Sequence, residues 1–200
     1  DEQIAQGLDI TADSGVYNAF IERISSRGFD QGWQDDWGGT YENLLISSGI
    51  HVGEYCTKEL FEYLREKFPF TMVTVFVCNT WDIPKPFSRP YVYVSTNAAD
   101  GSHYPGIGHP EVAGTFPKLL GQYVREDKVM ELKDAIKKIT YLPAKRFGIK
   151  NKGWLGVGAD ADIVVFDFEK IRDHADYLGS GLPDAPPSGI DYVIVNGEII

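Results

Sequence analysis

The sequence predicts an α/β chain of buried parallel strands and amphipathic helices, followed from about residue 150 by a small β unit. Three observations carry this. "TMVTVFVC" (71–78) is a continuous apolar, β-branched run, as a strand covered on both faces requires. Residues 57–69 and 131–140 place their apolar side chains at helical spacing. After residue 150, "ADIVVFDF" and "DYVIVNGEII" read as strands, bridged by the Pro-, Gly- and Asp-rich "LGSGLPDAPPSG".

Along the chain, "LDITAD" (8–13) alternates with period two behind a Gly and predicts a strand. Residues 14–45 are rich in Gly, Asp and Trp and predict a long loop with short helical turns, a kind of loop that is usually functional. Its Trp-rich part, 31–41, suits a lid or a layer packed over the mouth of a site. "TKELFEYLREKFP" (57–69) predicts a helix with Thr57 as N-cap, Leu60, Phe61, Leu64 and Phe68 on one face, and Pro69 as its stop. The run 71–78 is expected to be a buried parallel strand, with Cys78 a buried thiol. "YVYVST" (91–96) predicts the next strand. Two helices follow. One spans 115–127, with Thr115 as N-cap and Pro117 in the first turn; the other spans 131–140, with Leu132, Ala135, Ile136 and Ile139 facing inward. "LPAKRFGI" adds a helical turn ended by Gly148, and "VNG" near the end signals a hairpin turn.

Composition excludes several functions. With 43% hydrophobic and 13% aromatic residues, the chain can build a packed core. A formal charge of −10 and no clustered Lys/Arg stripe exclude nucleic acid and anionic membrane as partners, because phosphate contacts need a basic patch. Cys56 and Cys78 form no CxxC, hence neither a disulfide framework nor a zinc ribbon. No apolar stretch reaches the ~18 residues of a membrane span. No signal peptide is evident, and a cytoplasmic location is expected. The chain opens without Met at "DEQIAQGLDITAD" and closes in the strand "YVIVNGEII", as expected of a piece of a longer protein.

Chemistry-bearing residues gather in 90–110, "PYVYVSTNAADGSHYPGIGHP". A strand that ends in a loop of polar residues is where α/β barrels keep their chemistry. Asn97 and Asp100 are the candidates for a catalytic position, and Ser102, His103, Tyr104 and His109 for lining the mouth. His51 and His174 stand alone and suit surface or packing roles. The four histidines show no HxH or HExxH spacing and make no metal site by themselves.

Three strings together resemble a family: "GHPEVAGTFPKLLGQYVRED", "ITYLPAKRFGIKNKGWLGVGADADIVVFD" and "IDYVIVNG". They are similar to the C-terminal part of the amidohydrolase superfamily, in the branch of the D-aminoacylases or N-acyl-D-amino-acid deacylases, and the likeness covers nearly all of the chain. The resemblance implies the last strands and helices of a (β/α)₈ TIM-type barrel in 1–150, with 8–13 as strand seven and 91–96 as strand eight. It implies that 151–200 form part of a small composite β-sandwich. It further implies a zinc-dependent hydrolase of C–N bonds acting on a small N-acyl amino acid or related amide. The zinc ligands are expected mainly outside this chain, with Asp100 a possible one. A carboxylate at the end of the last barrel strand is implied as general base and acid, a task that Asn cannot perform because it accepts no proton.

Two counts locate that position differently. Strand register from Pro90 favours Asn97; spacing back from "GHP" favours Asp100. Register carries more weight, since loops absorb insertions and strands do not. An Asn in that position implies a disabled base, in a natural pseudo-enzyme or an engineered variant. The branch commonly has an Arg after "HP", suited to a substrate carboxylate; here Glu111 stands there, and an acid favours a neutral or cationic group. The alternatives are a cyclic amidase like dihydroorotase or hydantoinase, and a non-catalytic scaffold. The chain alone is expected to be inactive. With unpaired strand edges, it is expected to form a homo-oligomer or to associate with the missing N-terminal half.

Overall fold

The computed structural model describes residues 1–96 and 106–200. Helix α1 (Glu2–Ala5) leads into strand β1 (Ala12–Ser14), which starts later than the predicted 8–13. The chain then builds β2 (Phe20–Arg23), α2 (Trp33–Trp37), β3 (Leu44–Ile46), α3 (Lys58–Lys67) and β4 (Met72–Val75) before β5 (Val92–Val94) returns to pair in parallel with β1. Ala12 lies opposite Val92 and Ser14 opposite Val94.

The segment between these two strands has a core of its own, and here the structure corrects the sequence reading. β4 is the middle strand of an antiparallel sheet ordered β2-β4-β3, with Val75 opposite both Phe20 and Leu44. Val73, Thr74 and Val75 are all buried. An unbroken apolar run therefore reported cover on both faces, which a central antiparallel strand also has. Thr74 meets the buried Ser47 hydroxyl at 2.6 Å, so the polar member of the run is satisfied. Residues 14–45 hold the expected short helical turns, and in addition β2 and the start of β3. Within the Trp-rich stretch, Trp33 is 3% exposed and packs edge-on against Phe29 and Trp37 inside this core. Cys78 is exposed, because β4 ends at Val75 and the chain has left the sheet. Helix α3 follows its sequence signals. Thr57 Oγ1 accepts the Leu60 N–H at 3.2 Å, Phe61 and Leu64 are buried, and Pro69 follows the C-cap Phe68.

Beyond β5 comes α4 (Glu111–Lys118), continued by a π-helical stretch Leu119–Glu126. Thr115 does not cap this helix but lies inside it, its Oγ1 donating to Glu111 O at 2.8 Å. Pro117 removes one donor from the ladder, and past it the helix widens to i→i+5 spacing, a geometry frequent at functional sites. Helices α5 (Leu132–Ile139) and α6 (Tyr141–Arg146) follow. Val16, Phe87, Leu119, Leu120, Ala135 and Ile171 belong to the core behind β1 and β5. No helix among the described residues is long and apolar enough to cross a membrane.

Lys138 of α5 is 5% exposed and donates to the carbonyls of Arg89 and Val92, fixing the entry into β5. Replacing it by Met leaves both carbonyls short of a partner. Lys138→Met is expected to lower the stability of the full-length protein by about 2 kcal/mol, read as a shift in urea midpoint.

The last element is an antiparallel sheet of β6 (Ile163–Phe166), β7 (Ile190–Val195) and β8 (Glu198–Ile199). Its hairpin turns at Asn196 and Gly197, with φ of 51° and 85°, the two positive values of a type I′ turn. Val164, Tyr192 and Ile199 remain exposed on this sheet.

Candidate functional site

Because β1 and β5 run in parallel, their C-terminal ends, Ser14 with Gly15 and Ser95 with Thr96, open on one side. Carbonyl ends of parallel strands are where α/β folds gather ligands and catalysts. The Ser95 N–H donates to Ser14 O at 3.1 Å and extends the pairing past the strands.

Glu111, the first residue of α4, is held at this end. Its carbonyl accepts from Thr96 Oγ1 at 3.1 Å and from Thr115 Oγ1 at 2.8 Å. Its side chain is 3% exposed and lies against Gly15, where any Cβ would collide with Oε1. Glycine at 15 is thus what lets a carboxylate sit on the end of β1.

His109 is fully buried beside it. Its Nδ1 accepts the Glu111 N–H at 3.2 Å, so Nε2 carries the ring proton and donates to Ala19 O at 3.0 Å. Burial lowers its pKa from 6.5 to about 4, the Ala19 bond opposing in part, and the ring is neutral near pH 7. The 3.7 Å approach of Glu111 Oε2 to Nδ1 is consequently proximity to a neutral imidazole and not an ion pair. With both nitrogens committed, His109 orients the chain entering α4 and is unavailable as a proton shuttle or metal ligand.

Around these stand residues that sequence reading missed. Tyr17, His109 and Tyr177 meet edge-on, with ring centroids 5.3 to 6.0 Å apart, and Phe76 packs on Tyr177 at 4.6 Å. Tyr17 OH donates to Asp173 Oδ2, and Tyr177 OH to Asn18 Oδ1 at 3.0 Å. Burial above all pushes both phenols up, so they act as neutral donors. Lys118 Nζ sits 4.1 Å from the centre of the Tyr17 ring; burial lowers its pKa while Asp173 and Asp176 oppose that. A cleft of about 420 Å³ opens alongside, lined by Lys118, Gln122, Arg125, Arg172, Asp173 and Asp176. Tyr17 and Asn18 follow directly on β1, so the strand-end rule could have found them; Asp173 and Tyr177 carry no such local signal.

Of the residues singled out in the sequence, His109 and Glu111 are brought together. Asn97, Asp100, Ser102, His103 and Tyr104 lie outside the described residues. His51 pairs with Glu54 at 3.0 Å, and His174 with Ser188 Oγ at 2.9 Å, local contacts apart from the strand ends. Among the described residues, no three of His, Cys, Asp and Glu converge to hold a metal ion.

A family model described as "Amidohydrolase family" matches residues 77–200. An N-acyl-D-glutamate deacylase of Alcaligenes xylosoxydans xylosoxydans is 35% identical over 122 residues, 61% of this chain and 24% of the relative. A D-aminoacylase of the same organism is 39% identical over 99 residues, 50% of this chain and 20% of the relative. The chain thus spans about a quarter or less of the curated relatives it matches. The solved N-acyl-D-glutamate deacylase of Bordetella bronchiseptica, complexed with zinc and a phosphonate mimic of the tetrahedral intermediate, matches the whole chain with 41% of its own. The TM-score is 0.81 and the identity 27%.

Proposed function

The chain belongs to the amidohydrolase family, on the branch of the D-aminoacylases, and from this we propose that the intact protein hydrolyses the amide bond of a small N-acyl compound. The observation that carries the reading is the parallel pair β1-β5 ending on Gly15, Thr96 and Glu111, in a chain that follows a deacylase fold from end to end. In this reading, residues 1–150 supply the last part of a (β/α)₈ barrel, with β1 and β5 as its seventh and eighth strands. Residues 151–200 supply part of a composite β-sandwich.

The described residues do not form a metal site, so no step is assigned to a metal held by them. Zinc, present in the solved relative, is assigned to residues outside this chain, with Asp100 the one acid here that could join them. Strand register favours Asn97 for the shuttle position; a working hydrolase needs an acid there, and Asp100, the one carboxylic acid between Thr96 and Gly106, is then the candidate. Asn97, favoured by strand register, supports a second reading in which the fold is kept for binding.

The deciding experiment offers the full-length protein linear N-acyl-D-amino acids, their carboxamides, and cyclic amides, and measures released amine or ring opening. Hydrolysis of linear substrates is expected. Turnover of cyclic substrates alone would move the protein to the cyclic amidases, and turnover of none would sink the hydrolase reading.

Glu111 sets a finer expectation. A buried acid at the strand ends repels a substrate carboxylate and favours a neutral or cationic group. Glu111→Arg in the full-length protein is expected to raise kcat/KM for carboxylate-bearing substrates relative to their carboxamides by about tenfold or more. An unchanged ratio would remove Glu111 from substrate choice.

The edge of β1 opposite β5 has no strand partner among the described residues. The isolated 200-residue chain is expected to self-associate, or to bind a polypeptide carrying the preceding strands. A monodisperse 22.3 kDa monomer in light scattering would contradict this.

A further inference from the structure

Residues 172–188 form a closed loop. Its base is tied by Arg172 N–H to Ser188 O at 3.1 Å and Ser188 N–H to Arg172 O at 3.0 Å. Inside it, Asp176 N–H donates to Leu182 O at 3.2 Å and Ser180 N–H to Tyr177 O at 2.9 Å. Loops whose ends meet and whose interior bonds to itself are compact elements and not slack chain.

This loop reaches three separate parts of the molecule. At the end of β1, Asp173 accepts from Tyr17 OH, and Tyr177 OH donates to Asn18 at 3.0 Å. On the antiparallel unit, Tyr177 packs against Phe76 at 4.6 Å. On the chain entering α4, Asp184 Oδ2 accepts the Gly106 N–H at 2.9 Å and the Tyr177 ring lies 5.3 Å from that of His109. Gly106 has a φ of +77°, a conformation that glycine adopts without strain, and Asp184 holds its N–H there.

We propose that the loop 172–188 is a positioning strap for the functional site, with Asp184 holding Gly106 and Tyr177 wedged between His109, Asn18 and Phe76. Asp184 does not touch the strand ends where the substrate is placed, and Tyr177 meets them only through Asn18, just past β1. Both act through the chain between Gly106 and Glu111, which ends on the buried carboxylate. The strap lies 60 or more residues past the elements it holds, so a change in the C-terminal part of the chain is felt at the strand ends. Its catalytic consequence rests on the hydrolase reading; the strap itself does not.

Hydrogen exchange and steady-state kinetics on the full-length protein test this together, with Asp184→Ala, Asp184→Asn, Tyr177→Ala and Tyr177→Phe. Loss of the accepted bond in Asp184→Ala is expected to speed exchange in the peptide spanning 106–111 about fivefold. Asp184→Asn, whose Oδ1 still accepts, is expected to restore it. Tyr177→Ala is expected to speed exchange at the start of α4 as well, while Tyr177→Phe, which keeps the ring contacts, shows a smaller change. Where exchange quickens, kcat is expected to fall about tenfold with KM nearly unchanged, and the melting temperature of Asp184→Ala to stay within about 2 °C of wild type.

Unchanged exchange over 106–111 in both Asp184→Ala and Tyr177→Ala would overturn the strap. So would equal quickening in Asp184→Asn, since the bond would then not be the cause. Faster exchange with unaltered kcat would overturn the positioning role. A wild-type protein that hydrolyses no amide would fail the hydrolase reading while the exchange data still decide on the strap.

Discussion

Asp100→Asn in the full-length protein is expected to lower kcat for amide hydrolysis by roughly 10²–10⁴-fold while leaving KM within a small factor. The reaction needs a group that takes a proton from the attacking water and returns it to the leaving amine. Among the other candidates near the strand ends, the histidine and the two phenols are not fit for that, and Glu111, held against Gly15 and assigned to substrate choice, is the competing carboxylate. His109 has both ring nitrogens engaged and is neutral down to about pH 4. Tyr17 and Tyr177 are held as protonated phenols that already donate to Asp173 and Asn18. Asp100 is the acid that remains in the loop between Thr96 and Gly106. Asn has nearly the shape of Asp and keeps a carbonyl acceptor, so binding survives while proton transfer does not. The companion variant sharpens the result. If Asn97 occupied the shuttle position, Asp100→Asn would change little and Asn97→Asp would create or raise activity. Amine release from linear N-acyl substrates, followed at saturating and at low concentration, separates kcat from KM and decides between the two residues.

What could be read from the sequence was what local chemistry writes down. Thr57, Pro69 and the spacing of Phe61 and Leu64 define α3 without help from any neighbour, and Asn196-Gly197 defines its hairpin. The strands on either side of the long insertion were likewise legible. The direction of β4 was not. A run of Val and Thr states that both faces are covered, but the partner strands β2 and β3 that cover its edges come from elsewhere in the chain. The Trp-rich segment carries a related ambiguity: aromatic residues in a Gly- and Asp-rich stretch look alike whether they close a site or fill a core, and here Trp33 fills one. Thr115 carried a capping signal, yet the helix had already begun at Glu111, because the turn set by His109 starts it earlier. The site was half legible. His109 and Glu111 sit one strand-end loop from β5 and announce themselves by position. Tyr177, Asp173 and Asp184 belong to a loop of Gly, Pro and Asp with no periodicity, and only the folded chain brings them to the strand ends.

The fixed tautomer of His109 makes stability depend on pH, and this is the second large effect. In the folded chain the pKa is lowered to about 4, against 6.5 when unfolded. A depressed folded pKa means that the unfolded chain binds the proton first. The stabilisation is therefore complete above about pH 6.5 and is lost as pH falls toward 4. At 1.36 kcal/mol per pH unit, the whole window is worth on the order of 3 kcal/mol. The residue is fully buried, so solvent screening takes little from this figure. His109→Gln isolates the effect. A Gln amide can accept the Glu111 N–H and donate to Ala19 O but does not titrate, so the variant is expected to show a flatter loss of urea midpoint between pH 6.5 and 4.5 than the wild type. Comparing the two proteins cancels every other titrating group. His109→Leu, in contrast, abandons the Glu111 amide and the Ala19 carbonyl in a buried place and is expected to cost about 2–3 kcal/mol at every pH. If His109→Gln kept the wild-type slope, the acid sensitivity would belong to other groups, and the neutral ring would be a passive filler between α4 and the end of β1. If the slope flattens and hydrolysis persists near pH 7, the histidine is shown to hold the approach to Glu111 through two hydrogen bonds and to take no part in proton transfer.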